Sequence, residues 1–433
     1  MSPVTIGIIC FAALFTLIAI GLPVGFGMAL VGFGGLWFLI SEQAAMIKMG
    51  LTPFDTIANY SLSVLPLFLF MAQITFVSGL SKDLYNLASK WLGHQPGGVA
   101  MATVGACAGF AAVSASSLAT ASTMGLVAIP EMKRQKYDPA LATGCVAAGG
   151  TMGSLIPPSG VLIIYGIITE TSIGKLFMGG MIPGILEAIF YMATIYILCT
   201  WKPSLGPRGT RYSLTEKFAA FKGCVEIIGL IILVLGGLII GWFTPTEAGA
   251  VGAFGAIVFS LFRKRLTWQK FLTALMETIK TTGMIYGILI GAMIFNYFVA
   301  ITTIPTVLSD FVGGLPLAPL AIIGLVMVVY LILGCFIDAS AMMLLTLPVF
   351  FPLAMSLGFD PVWFGIITVR AIEIAMITPP IGINVYVISG VAPDVPLQTI
   401  FKGIIPFLIA DLLHVTLLLL VPSVVLFLPN LVR

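Results

Sequence analysis

Two stretches of this sequence join groups able to hold an ion to backbone that cannot stay helical. In the first, Ser114, Ser116, Ser117 and Thr120 set four hydroxyls in a small, apolar segment, and Gly149-Gly150-Thr151-Met152-Gly153-Ser154-Leu155-Ile156-Pro157-Pro158-Ser159-Gly160 follows. In the second, Gly334-Cys335-Phe336-Ile337-Asp338-Ala339-Ser340 carries one carboxylate in apolar surroundings, and Ile377-Thr378-Pro379-Pro380-Ile381-Gly382-Ile383-Asn384 repeats the double proline. Adjacent prolines remove two backbone donors and clash with the preceding turn, and glycine weakens the helix on either side. Carbonyls freed at the C-terminal end of a half-helix can ligate Na⁺, and half-helix N-termini attract an anion. Each polar stretch is expected to face the break that follows it: the serines and Thr120 toward Gly149 to Pro157, and Gly334 to Ser340 toward Ala375 to Pro379.

Asp338 is the most informative single residue. An unpaired carboxylate in an apolar segment costs several kcal/mol, which a bound cation would relieve; alternatively its oxygens cap a helix by accepting backbone N–H groups. Arg370 also has two readings. Glu373 lies one turn away, so the two can form an ion pair, or Arg370 can meet a substrate carboxylate. Nine residues separate it from Pro379, which sets it ~13 Å up the helix. Asn384 can both donate and accept, which suits a sugar or carboxylate, whereas its counterpart in the first stretch, Leu162, can do neither. Glu187, Glu226, Glu247 and Asp411 have no cationic neighbour in sequence and read as caps or interhelical hydrogen-bonding groups. The candidates for substrate contact are Ser117, Thr120, Ser159, Ser340, Asn384 and Arg370.

The elements that must position these groups are membrane helices. Of 433 residues, 59% are hydrophobic and only 9% charged, against about a quarter charged in soluble domains. Apolar runs at Ile6 to Ile20, Leu176 to Cys199, Ile227 to Phe243 and Gly403 to Leu428 approach or exceed the ~20 residues that cross a bilayer. The first run lacks a basic leader and a small-residue cleavage site and reads as a retained helix. Spans are expected at about 4–21, 24–40 and 54–79, then an amphipathic stretch, Ser81 to His94. Gly97 to Pro130 has two arms too short to cross comfortably, which predicts a re-entrant hairpin. The six cysteines are scattered without C-x-x-C spacing and read as buried apolar residues.

The second half repeats the first. Pro23, Gly27, Pro130, Asp138 and Pro157 stand 222 positions before Pro245, Gly249, Pro352, Asp360 and Pro379. This predicts an all-α polytopic membrane protein of two repeats, 1–222 and 223–433, with Lys202 to Lys222 as the linker between them. Each holds a re-entrant hairpin (about 97–132; 317–355) and a broken transmembrane helix (about 138–169; 361–392). Five crossings per repeat, an odd number, would invert the second relative to the first. Placing the N-terminus outside puts sixteen Lys and Arg residues in the cytoplasm and leaves only Lys48, Lys175 and Arg433 outside, with Arg370 in a span, as the positive-inside rule requires. The termini are then periplasmic.

Inverted repeats with paired broken helices point to a secondary transporter. An integral-membrane enzyme would call for a clustered His, Cys or carboxylate site, and two isolated histidines offer none. No organic cofactor and no nucleic-acid partner are expected.

The segments Ala115-Ser116-Ser117-Leu118-Ala119-Thr120, Gly153-Ser154-Leu155-Ile156-Pro157-Pro158-Ser159, Pro245-Thr246-Glu247-Ala248-Gly249-Ala250 and Ile377 to Asn384 resemble, in order, the large membrane subunit of tripartite ATP-independent periplasmic (TRAP) transporters. The resemblance implies an ion-transporter-superfamily fold in the bacterial inner membrane, elevator-type alternating access and Na⁺ as coupling ion. It implies Na⁺ sites at Ser114, Ser116, Gly153 and Pro157 in one repeat and at Gly334, Asp338, Thr378 and Pro379 in the other. It further implies two partners, a four-helix small membrane subunit on a separate chain and a periplasmic substrate-binding protein. The expected substrate is an organic anion such as a C4-dicarboxylate, sialic acid or another sugar acid. A stand-alone Na⁺-coupled carboxylate symporter is the alternative.

Overall fold

The computed structural model describes residues 2–314 and 316–431; Arg433, counted above on the outer face, lies outside them. Every regular element is a helix among the described residues. Before the first polar stretch come α1 (Pro3–Ala19), α2 (Val24–Leu39), α3 (Glu42–Ile57), α4 (Val64–Val77) and α5 (Leu80–Leu92). The core of the first half is α6 (Gly98–Ser114), α7 (Ser117–Arg134), α8 (Pro139–Leu155), α9 (Gly160–Ile168) and α10 (Ile173–Trp201). Next are α11 (Leu214–Ile231), α12 (Gly237–Ile240), α13 (Pro245–Phe262), α14 (Trp268–Ile301) and α15 (Ile304–Gly313). The chain closes with α16 (Pro319–Gly334), α17 (Ala339–Ser356), α18 (Pro361–Ile377), α19 (Ile383–Val391), α20 (Leu397–Leu420) and α21 (Ser423–Leu431).

Among the described residues, seven helical segments are long and apolar enough to cross a bilayer, including α10, α14 and α20. The chain is thus an all-α, multi-pass membrane protein. Asp138 and Asp360 start α8 and α18 in the same way: each side chain accepts from two backbone N–H groups of the first turn, and a proline follows at the first helical position, where its missing donor costs nothing. Both helices end at a double proline whose Pro–Pro bond is cis.

Three apolar runs are interrupted where hydrophobicity alone predicts continuity. The expected span at 54–79 begins at Tyr60 instead, because Asn59 accepts from Ser61 N–H and opens a new helix, leaving residues 54–57 in α3. Gly403 to Leu428 divides at Val421-Pro422 into α20 and α21. Ile227 to Phe243 holds a π-helical turn at Ile232–Gly236 and stops at Gly241, whose φ of +84° favours glycine. The expected linker, Lys202 to Lys222, is non-helical only as far as Ser213, which forms a capping box with Glu216 and starts α11.

Small residues let the inner helices touch. A methyl group on Gly403 of α20 would lie 1.9 Å from Ala140 O of α8, and one on Gly144 would lie 2.4 Å from the Gly403 backbone. Backbone-to-backbone approach of this kind fixes helix pairs in lipid, where burial alone does not drive association. α8 packs on α6, α7, α18 and α20, and α18 on α16, α17 and α20; α4 and α14 pack together beside them.

Candidate ion and substrate site

The first hairpin places its tip against the first break. Ala115 turns the chain at φ 53°, and Ser116 caps α7 by accepting from Ala119 N–H. Past the prolines, Ser159 accepts from Leu162 N–H to cap α9 and donates its hydroxyl to Ser154 O. Gly160 N–H donates to Ala115 O at 3.2 Å, tying break to tip. Ser114 and Thr120 share a hydroxyl hydrogen bond of 2.6 Å, and Thr120 donates to Ser116 O at 2.9 Å. Gly153 is the meeting point: a methyl group there would lie 2.5 Å from Ser116 O and 2.8 Å from Thr120 Oγ1. Ser114, Ser116, Thr120 and Gly153 thus converge, with Pro157 buried in the adjoining break.

The second hairpin is arranged alike with different chemistry. Asp338 caps α17, accepting from Ser340 N–H at 2.9 Å. A methyl group on Gly334 would lie 2.5 Å from Ala375 Cβ, and Cys335 Sγ approaches Pro379 O at 3.6 Å and Thr378 O at 3.9 Å. The Thr378 hydroxyl donates back to Ile374 O at 2.6 Å, so it is engaged with its own helix.

Between the tips, α4 and α14 lies a cavity of about 750 Å³, counting the space at its mouth. Four sequence candidates line it: Ser116 and Ser117 from one side, Asp338 and Ser340 from the other. Ser154 and Gly160 add the rim of the first break, and Phe68, Met284 and Met376 make apolar wall. Three helix starts meet there: Ser117-Leu118 of α7, Gly160-Val161 of α9 and Ala339-Ser340 of α17. Such ends carry roughly half a positive charge each and point backbone N–H groups outward. The lining residues include one carboxylate and no basic side chain. The wall is mostly apolar, with Asp338 and the hydroxyl residues Ser116, Ser117, Ser154, Thr281 and Ser340 as its polar side chains.

The remaining candidates stand apart from that wall. Ser159 and Thr120 are fully buried behind it. Asn384 is also fully buried; its Nδ2 donates to Ala147 O at 3.5 Å, across to α8.

Arg370 is fully buried in a network that reasoning along the chain anticipated only in part. Its Nη1 donates to Glu187 Oε1 of α10 at 2.8 Å, and its Nη2 meets Asp411 Oδ1 of α20. Glu373 Oε2 lies 3.7 Å from the same Nη1, a longer contact than either. Thr151 donates to Glu187 at 2.9 Å and Tyr191 to Asp411 at 2.6 Å. Glu187 and Asp411 are thus the guanidinium's closest partners. They lie 183 and 41 residues from it, so only the presence of unexplained intramembrane acids hinted at them. The other two acids have local roles: Glu247 completes a capping box with Thr244, and Glu226 pairs with Arg263.

A multi-pass helical fold whose hairpin tips meet interrupted helices around one shared cavity is the architecture of a membrane transporter. Residues 11–424 match the family described as tripartite ATP-independent periplasmic transporter, DctM component, and the chain belongs to that family. It is 37% identical over 398 residues to the C4-dicarboxylate TRAP transporter large permease protein DctM of Pseudomonas aeruginosa, covering 92% of each chain. It is 34% identical over 416 residues to the isethionate TRAP transporter permease protein DctMQ of Oleidesulfovibrio alaskensis, covering 94% of this chain and 63% of that longer one. Among solved structures, the YdaH transporter of Alcanivorax borkumensis shares the fold at a TM-score of 0.60 and 15% identity, over 87% of this chain and 88% of that one.

Proposed function

We propose that this protein is the large permease of a Na⁺-coupled importer of an organic anion, delivered by a periplasmic binding protein and moved by elevator-type alternating access. The observation that carries this reading is the cavity wall, where three helix N-termini and the Asp338 carboxylate share one space without a basic side chain. An anion alone would face Asp338, and a cation alone would face the helix dipoles. Both together suit the wall, since helix N-termini favour an anion and a carboxylate favours a cation.

Na⁺ is assigned to two places: Ser114, Ser116, Gly153 and Pro157 at the first tip and break, and Gly334, Asp338, Thr378 and Pro379 at the second. The substrate is assigned to the space bordered by Ser117 and Ser340, with Thr120, Ser159, Asn384 and Arg370 acting from behind it. The substrate class is a C4-dicarboxylate, sialic acid or another sugar acid; one relative is named for C4-dicarboxylates and one for isethionate, all of them organic anions.

The two halves, 1–222 and 223–433, are read as inverted repeats, with the N-terminus in the periplasm and the membrane as the bacterial inner membrane. Helix bounds 139–155 and 361–377 recur 222 residues apart. Three ion pairs join groups on the side assigned to the cytoplasm: Lys133–Asp394, Arg263–Glu226 and Arg265–Asp83. Partners are the periplasmic binding protein and a four-helix small subunit on its own chain; the greater length of the DctMQ relative leaves room for a fused arrangement elsewhere in the family.

Reconstitution in proteoliposomes tests this. An inward Na⁺ gradient with the binding protein and small subunit present should drive uptake of one of these anions, with no uptake when Na⁺ is replaced by choline. Uptake by this chain alone would favour a stand-alone symporter.

A further inference from the structure

We propose that Glu373 is a positioning residue whose carboxylate, carried by the second half, fixes the Ser117 hydroxyl and the Ser154 amide in the cavity wall of the first half. The inference rests on reading that cavity as the transport site. Glu373 Oε1 accepts from Ser117 Oγ and from Ser154 N, each at 3.1 Å, across 256 and 219 residues of sequence. Ser117 and Ser154 both line the cavity, whereas Glu373 is fully buried behind them.

The arrangement is directional. Arg370 lies one helical turn before Glu373 and is clamped by Glu187 and Asp411 from two other helices. At 3.7 Å its Nη1 attracts Glu373 Oε2 without a direct hydrogen bond. Oε2 has no hydrogen-bond partner among the described residues, so Oε1 is the working end. Ser117 Oγ also lies 2.5 Å from Ser154 Oγ and 3.1 Å from Thr151 O. Glu373 Oε1 is the one acceptor that also takes Ser154 N–H, so it ties the Ser117 hydroxyl to the backbone of the break. One bond from α18 holds the tip of the first hairpin at Ser117 and one holds the first break at Ser154, so displacement of α18 pulls on the wall of the other half.

Two variants separate this role from simple filling of space. Glu373→Gln keeps an acceptor oxygen at the same reach; Glu373→Met keeps the size and removes the acceptor. Leu118→Cys, on the cavity wall beside Ser117, supplies a reporter thiol for a water-soluble maleimide, with the rate corrected for the chain lacking it. In the purified full chain, Glu373→Met should raise labelling of that thiol about fivefold, the scale of losing the Ser117 bond beside it. Glu373→Gln should label at the parent rate. Ser117→Ala, which removes the donor at the other end and leaves the Ser154 N–H bond in place, should also raise labelling, and the double variant should label at less than the product of the two single effects; it decides the matter if Glu373→Met does not fold. A parent labelling rate in Glu373→Met or Ser117→Ala, or a Glu373→Gln rate equal to Glu373→Met, would overturn the proposal. Thermal stabilisation by NaCl against choline chloride is read in parallel, and its midpoint should rise in Glu373→Met and stay unchanged in Glu373→Gln. Absence of Na⁺ stabilisation in the parent chain would remove the Na⁺ reading, while labelling still judges Glu373.

Discussion

Ser116 and Asp338 hold the same station in the two hairpins: each caps the second arm of its hairpin, and both line one cavity. One is neutral and one is a carboxylate, so the two tips differ by a charge at matched positions. That difference makes the cap and the proposed ion site separable by mutation.

Asparagine caps a helix about as well as aspartate. Asp338→Asn should keep the thermal stability of the purified chain and lose Na⁺-driven uptake. Asp338→Ala should lose both, with a stability cost of about 1 kcal/mol. Wild-type Na⁺ dependence in Asp338→Asn would reduce Asp338 to a cap.

Gly153 leaves no room for a side chain, since a methyl group would press on Ser116 O at 2.5 Å. Gly153→Ala should cost roughly 1–3 kcal/mol by overpacking and weaken Na⁺ binding by displacing the tip. Gly223, within α11, has nothing within 4 Å of such a methyl group. Gly223→Ala should be neutral or stabilising by up to about 1 kcal/mol, and unfolding midpoints of the two variants compare them directly.

Removing one partner of a buried ion pair strands the other. Glu187→Ala should destabilise by about 3–5 kcal/mol, visible as a large fall in unfolding temperature. Glu247→Ala removes one member of an exposed capping box and should lower the unfolding temperature far less. Equal losses from the two would mean that Arg370 is satisfied without Glu187.

On the surface, the Lys133 hydrogen bond holds the Asp394 carboxyl below the ordinary carboxylate range. A group whose folded value is lowered contributes stability above its unfolded value, about 3.9, and loses it as pH falls through the folded one. Asp394→Asn should therefore lower the unfolding temperature slightly and by a constant amount from pH 8 to about pH 5, with the gap closing below about pH 4. High salt should shrink the gap throughout, because the pair is exposed.

The two helix breaks were legible in the sequence because each is local. Two prolines end a helix wherever they stand, an aspartate before Pro139 or Pro361 starts one, and hydrophobicity sets the medium. The interruption at Asn59 and the split at Val421-Pro422 were missed for the same local physics read at too low a resolution: the apolar runs hid a single polar cap and a single proline. The side-chain partners of Arg370 were a different matter. Sequence offered Glu373 one turn away, and the structure chose Glu187 and Asp411, which reach the guanidinium only because α10 and α20 pack on α18.

By itself, then, the sequence determined the membrane setting, the helix breaks and the pairing of a serine-rich tip with an acidic one, all written in residues a few positions apart. Only the tertiary structure decided that both tips open on one cavity, that Asn384 and Arg370 stand behind its wall, and that Glu373 reaches across to Ser117 and Ser154. The reason is that buried charges in a membrane bind whichever partners helix packing brings within hydrogen-bond reach, and packing is a property of whole helix faces rather than of any short stretch.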